Sequence, residues 1–442
     1  LQLTIEKLIY GGDGLARLPS EDLPNDKQRR GKAVFIPFVL EGEQVEAHLI
    51  EEKRGFARGL VETLVVPSVH RVAPPCPYFA RCGGCHYQHS NYEHQLEIKA
   101  AILKENLRRI AKLELETELN IHQSPEWNYR NRTRLTLQTS PEFALCYHKF
   151  NSHQLLPIEQ CPISSPLINR GIAALWDIGR KGNIPGEIRE IEMFANASDT
   201  ELLIEAYCEE DVNVDPDAAQ RLHENLQSQI PEVAGVVFFK DRSSGTSSDQ
   251  TNEHEQVQLA GRGDLVYKTS LSSYRVSAGS FFQVNRFLID ELVSIVTADQ
   301  SGGTALDLYA GVGLFSSVLY REFQRVIAVE SSQTSYADLE YNSPPNVKAV
   351  QATTEQCLRN VGGKLHPDLV VVDPPRGGLS ENVTELLASL RSPRITYVSC
   401  DPATLARDLR GLLDSGYRMG QAHLVDLFPQ TFHVESVFQL VR

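Results

Sequence analysis

The stretch "PPCPYFARCGGCHYQ", residues 74–88, holds Cys76, Cys82 and Cys85 in the spacing C-x5-C-x2-C. Cys161, in "IEQCPIS", stands as a distant fourth thiol. Four thiolates suit tetrahedral zinc or a [4Fe-4S] cluster, and spacing alone does not separate the two. In a reducing compartment such a cluster reads as a metal or redox site rather than a disulfide framework.

A second group of residues sits in the C-terminal third. "VSCDPATLARDL" puts Cys400 at the end of an apolar strand with a helix starting just beyond it. A lone cysteine is usually a small buried hydrophobe, but one at the carboxyl end of a sheet strand is placed as a nucleophile, and the helix start favours its thiolate. "VVVDPPR" brings Asp373 out of a buried strand into two prolines, which fix the direction of the chain. "DLYAGVGLF" is a glycine turn after the strand carrying Asp307, and Glu330 ends the next strand, 23 positions later. A carboxylate there can accept hydrogen bonds from both hydroxyls of a ribose, so the pair favours an adenosine-containing cofactor over a plain tight turn. Glu435, in "FHVESVFQLV", would by itself be a surface acid. Arg130, Arg132 and Arg134 alternate in "YRNRTRLTLQ". On a strand they share one face, which could follow an RNA phosphate backbone or pair with this chain's own acids.

The elements that position these residues fall into three parts. With 442 residues the chain exceeds one ordinary core. Residues 1–66 alternate in short runs with turns at Gly11, Gly12 and Gly14, as in a small β-barrel. Residues 67–270 begin proline-rich, continue through an amphipathic helix at about 91–115 that is a candidate to pack on the catalytic part, and become strand-rich. Two polar stretches, at 20–32 and 241–256, read as surface loops. Residues 271–442 alternate strands and helices, which implies a doubly wound parallel sheet with its site at the strands' C-terminal ends.

The net charge of −14 argues against a protein that coats itself in nucleic acid but allows a local basic groove. No run suits a membrane span or a signal peptide, so the expected compartment is cytoplasmic. No obligate protein partner is indicated.

Taken in order, "CPYFARCGGCHYQH" with Cys161, "YRVSAGSFFQVN", "DLYAGVGLF", "VVVDPPRGG", "VSCDPATLARDL" and "HVESV" resemble the RNA (uracil-5-)-methyltransferase family, in particular its iron–sulfur branch acting on bacterial 23S rRNA. The resemblance implies a multidomain architecture: an OB-like TRAM barrel, a central α+β domain with a [4Fe-4S] cluster on Cys76, Cys82, Cys85 and Cys161, and a Rossmann-like methyltransferase domain. It implies Cys400 as nucleophile on uracil C6 and Glu435 as the base that removes the C5 proton. Gln283, Tyr309, Gly311, Glu330 and Asp373 fall on positions that hold S-adenosylmethionine or orient the uracil. Leu314 departs from the polar residue some members carry. The implied substrate is 23S rRNA, with a tRNA T-loop uridine as the same-chemistry alternative. A non-catalytic RNA-binding factor is the rival from another class.

Overall fold

The computed structural model describes residues 1–18, 31–241, 254–361 and 365–442. The two polar stretches expected as loops lie mostly outside these residues.

The N-terminal part is a six-stranded sheet in the order Gln2–Thr4, Gln44–Glu52, Phe56–Val66, Ala33–Ile36, Gly14–Arg17, Lys7–Leu8. The two edge strands follow each other in the chain, and the Ile5 and Glu6 amides between them donate to Glu43 O and Leu15 O, so one run of chain bonds to both ends and the sheet curls on itself. Period-2 alternation places Leu3, Ile5, Ala16, Val34, Ile36, Val45 and Ala57 inside.

A seven-stranded sheet follows, running from Leu155–Pro157 at one edge to His254–Gly261 at the other. All its neighbours are antiparallel except the parallel pair Leu202–Cys208 and Val233–Asp241. The helices Pro166–Arg180 and Ala218–Gln227 contribute to the core on one face. On the other face Phe194, Leu203 and Phe239 share a core with Leu292, Ala305 and Val326 of the C-terminal part, through the hairpin strands Asp264–Lys268 and Ser273–Ser277.

The C-terminal part is an eight-stranded sheet in the order Val347–Gln351, Phe323–Glu330, Gly302–Leu308, Leu369–Val372, Arg394–Ser399, Glu435–Val441, Arg418–Val425, Leu119–His122. The first five strands are mutually parallel and Glu435–Val441 runs against them. The order reverses between Gly302–Leu308 and Leu369–Val372, where a ligand crevice opens at the strands' C-terminal ends. Leu119–His122 lies inside the 67–270 span of the sequence yet adds a strand to this sheet, parallel to Arg418–Val425. The helix Tyr92–Asn106, capped by the Asn91 side chain on the His94 amide, leads to it. Leu103 of this helix and the following Leu107 are fully buried among Leu405, Leu409 and Leu412, so the segment packs on the C-terminal sheet.

Candidate active site

Strand register brings the nucleophile and base candidates together. In the antiparallel pair of Arg394–Ser399 and Glu435–Val441, Ser399 faces Ser436, so Cys400, one residue beyond its strand, comes level with Glu435. Asp373 leaves the neighbouring strand Leu369–Val372 at the same end of the sheet. Cys400 is half-buried and Glu435 is 4% exposed, which corrects the surface-acid reading.

Burial and neighbouring negative charge raise the hold of all three acids on a proton. Burial pushes the Cys400 thiol up to about 12; the negative charges of Glu435 and Asp373 add to this, and Arg376 opposes it. Burial, then Asp373, holds the Glu435 carboxyl well above the usual carboxylate range. Asp373 is lifted to about 7 by burial and by Asp307. The helix Pro402–Asp414 does not reverse this. Its first amides, of Ala403 and Thr404, are already satisfied by the Asp401 side chain at 2.9 Å. Burial and the neighbouring negative charges thus oppose the thiolate that the sequence suggests, and Arg376 favours it.

The cofactor candidates form the neighbouring turn. Tyr309 and Gly311 both have left-handed backbone, with φ of 61° and 56°. A Cβ on Gly311 would meet nothing within 4 Å, so open space lies over the turn. The Gly311 amide donates to Glu330 Oε2 at 2.9 Å, and the amides of Ser331 and Ser332 donate to Oε1 at 2.7 Å. Three of the carboxylate's four acceptor sites are thereby taken, and Oε2 keeps a lone pair for a further donor. Asp307 takes the Ser316 amide and hydroxyl on Oδ2, while its buried Oδ1 has no partner, and burial lifts its pKa to about 7. A ribose carried on Glu330 above an open glycine turn suits the adenosine part of S-adenosylmethionine.

The sequence profile of the tRNA (Uracil-5-)-methyltransferase family matches residues 91–442, and that of the TRAM domain matches residues 1–61. The chain belongs to the tRNA (uracil-5-)-methyltransferase family. It is an RNA methyltransferase that uses S-adenosylmethionine, and the reading as a non-catalytic binding factor is set aside. Named relatives agree. An uncharacterized RNA methyltransferase of Aquifex aeolicus is 32% identical, covering 99% of this chain and 97% of that one. A counterpart in Thermotoga maritima is 30% identical, covering 100% and 99%. Among solved structures, the Pyrococcus abyssi tRNA (uracil-54, C5)-methyltransferase in complex with S-adenosyl-L-homocysteine shares the fold at a TM-score of 0.74 and 23% identity, over the whole of both chains.

In this methyltransferase the four cysteines of the sequence motif line one cavity of about 360 Å³ with Gln88, Arg130 and Tyr147. Burial pushes Cys76, Cys82 and Cys85 up, and every pairing among these three and Cys161 adds a negative charge felt by a neighbour. Among the described residues no group of His, Cys, Asp or Glu is drawn in tightly enough to hold a metal ion. The central part is thus a domain with four converging thiols; an iron–sulfur centre is not established by it.

The loop before Glu435 is held from three sides. The amides of His86 and Tyr87 donate to Gln430 O at 2.8 and 2.9 Å. Gln95 exchanges two bonds with Gln430, and Tyr129 Oη donates to Pro429 O at 3.0 Å. Lys99, with no exposed side-chain surface, pairs with Asp426 at 2.6 Å and donates to Phe428 O. The cysteine segment and the loop that leads to Glu435 are thereby one hydrogen-bonded unit.

The reading of the arginine stripe changes. Arg132 and Arg134 do share a face of Arg132–Gln138, but Glu190, Glu192 and Glu205 pair with them and Phe194 and Tyr207 stack beneath them. Arg130 precedes the strand and lines the cysteine cavity. The stripe is therefore an internal ion-pair ladder rather than a free track for phosphates. Gln283 is buried, its backbone carbonyl accepting from Asn131 Nδ2 at 3.0 Å. Sequence reasoning missed Arg376, although it sits in the same "DPPR" turn as Asp373, and it missed Tyr10, for which the sequence carries no signal.

Proposed function

We propose that the enzyme methylates C5 of a uracil in structured RNA through a covalent adduct on Cys400. The observation that carries this is the convergence of Cys400, Glu435 and Asp373 at one end of the sheet, beside the open turn at Gly311.

Uracil C5 is a weak nucleophile until a thiolate adds to C6 and converts the ring to an enolate. The target base leaves its stack to reach the pocket. Cys400 loses its proton to solvent and its Sγ bonds to C6, with Arg376 stabilising the negative charge on sulfur during that step. Bound S-adenosylmethionine supplies the electrophilic methyl group that C5 accepts. Glu435 then takes the C5 proton, the C6–S bond breaks and the Cys400 thiolate is expelled, leaving 5-methyluracil; one proton is released overall. Only the ionised Glu435 carboxylate can accept that proton, and its raised proton affinity makes it the stronger base once ionised. Asp373 and Gln283 orient the uracil edge, and Glu330, Tyr309 and Gly311 hold the cofactor.

Cys76, Cys82, Cys85 and Cys161 would hold a [4Fe-4S] cluster. The four thiols line one cavity, and the likeness of their motif to the iron–sulfur branch favours a cluster over zinc. Methyl transfer consumes no electron, so the group would brace the segment that holds Gln430.

Large-subunit 23S rRNA is the substrate this reading favours, because barrel and thiol cluster occur together. The full-length likeness to the Pyrococcus tRNA (uracil-54, C5)-methyltransferase supports tRNA as the second reading. Anaerobically purified enzyme, a radiolabelled methyl donor, large-subunit rRNA fragments and total tRNA separate them. Product in rRNA mapped as 5-methyluridine supports the first reading, and product confined to tRNA overturns the substrate alone. No 5-methyluridine in either overturns the reaction.

A further inference from the structure

The N-terminal barrel reaches the nucleophile. Tyr10 stands on its hairpin tip, a turn closed by bonds from the Ile9 amide to Asp13 O at 2.9 Å and from the Gly12 amide to Ile9 O at 3.1 Å. The tip is seated closely. Gly12 has φ of 94°, and a Cβ there would lie 3.0 Å from His86 Cβ, beside the cysteine segment. From this seat Tyr10 Oη lies 3.4 Å from the carbonyl oxygen of Cys400 and beside the Asp401 carboxylate. The Tyr10 ring meets Phe432 edge-on, 5.4 Å between centroids and 87° between planes. One side chain thus touches the turn that carries the nucleophile and the loop that carries the base.

We propose that Tyr10 is a positioning residue for methyl transfer, its hydroxyl bracing the Cys400–Asp401 turn so that the docked barrel completes the nucleophile's geometry. The inference rests on the reading of Cys400 as nucleophile and deepens it. Asp401 is the cap of the helix Pro402–Asp414 and is tied to the amides of Ala403 and Thr404, so its carboxylate is a fixed point. A hydroxyl between that point and the Cys400 carbonyl restrains the one residue whose side chain must meet C6. The ring alone supplies packing on Phe432. The hydroxyl adds direction, and small errors in direction are costly for an attacking atom.

The test separates the hydroxyl from the ring. RNA carrying 5-fluorouridine traps the adduct: Cys400 Sγ bonds to C6, C5 takes the donor's methyl group, and the C5 fluorine leaves Glu435 no proton to remove. Single-turnover trapping at saturating RNA is compared for wild type, Tyr10→Phe and Cys400→Ala, alongside binding of RNA and of S-adenosylhomocysteine. Tyr10→Phe is expected to trap about 10-fold more slowly, with both affinities within about twofold of wild type. Trapping at the wild-type rate overturns the proposal, as does a rate loss that higher RNA concentration fully restores. Trapping by Cys400→Ala would instead overturn the reading on which the proposal rests.

Discussion

Cys400 and Glu435 face each other across an antiparallel strand pair, each at the end of its strand that opens on the crevice. The reversal of the strand Glu435–Val441 is what makes the pair possible: a parallel last strand would carry its first residue to the far edge of the sheet. Around them Asp373 and Arg376 set opposing charges, and Tyr10 enters from another domain.

Replacement of Cys400 by Ala is expected to lower methyl transfer by at least about 10³-fold while leaving binding of S-adenosylhomocysteine within about twofold. Calorimetric titration beside a methyl-transfer assay reads both. A parallel loss of cofactor affinity would show that the turn, rather than the thiol, was damaged.

Glu435→Gln keeps the shape of the side chain but removes the base. Turnover should fall by about 10²–10⁴-fold, and a denaturation-resistant protein–RNA species should accumulate on gels. If turnover falls and no such species forms, the proton is removed by another group.

The buried ion pair of Lys99 and Asp426 anchors the loop that leads to Glu435. Lys99→Met leaves Asp426 charged and unpaired in the interior, which should cost about 3–5 kcal/mol of stability in urea unfolding. A Lys99→Met, Asp426→Leu double variant should recover part of that loss. An unchanged midpoint in the single variant would mean that the pair is solvated.

Asp307 gives a pH dependence of defined sign. Burial lifts its folded pKa to about 7, above the ordinary 3.8 of an aspartate, so the folded state binds its proton more tightly. The stabilisation is complete below about pH 4 and is lost as pH rises towards 7. Asp307→Asn removes the titration. The stability of wild type relative to this variant should therefore fall between about pH 4 and pH 7 and level off above. A constant difference across that range would contradict the burial of a neutral carboxyl.

Arg134 is paired with Glu190 and Glu192. Arg134→Ala should change RNA affinity less than about twofold and leave the salt dependence of binding unaltered. A drop of about one in the logarithmic salt slope would mean that the arginine contacts a phosphate.

Much of this site was legible because its motifs are local. The glycine turn at Gly311, the strand-ending Asp373 and the strand-ending Cys400 each announce themselves within a few residues. The parallel sheet followed from apolar strands alternating with helices. What the sequence hid is non-local pairing. Nothing around Glu435 says that it is buried, since that follows from the antiparallel register with Arg394–Ser399. The acids that neutralise Arg132 and Arg134 come from two other strands, more than 50 positions away. Leu119–His122 is a short strand with half-exposed residues, and its partner lies about 300 positions on. Tyr10 is 390 positions from Cys400, and only the seating of the barrel brings it there.

The most direct test of the covalent mechanism is peptide mapping of the trapped complex. Wild-type enzyme would be incubated with S-adenosylmethionine and 5-fluorouridine-substituted RNA, digested, and analysed by mass spectrometry. A methylated fluorouridine nucleotide is expected on the peptide containing Cys400. Attachment at any other residue, or ready formation of 5-methyluridine from ordinary RNA with no trapped adduct, would contradict it.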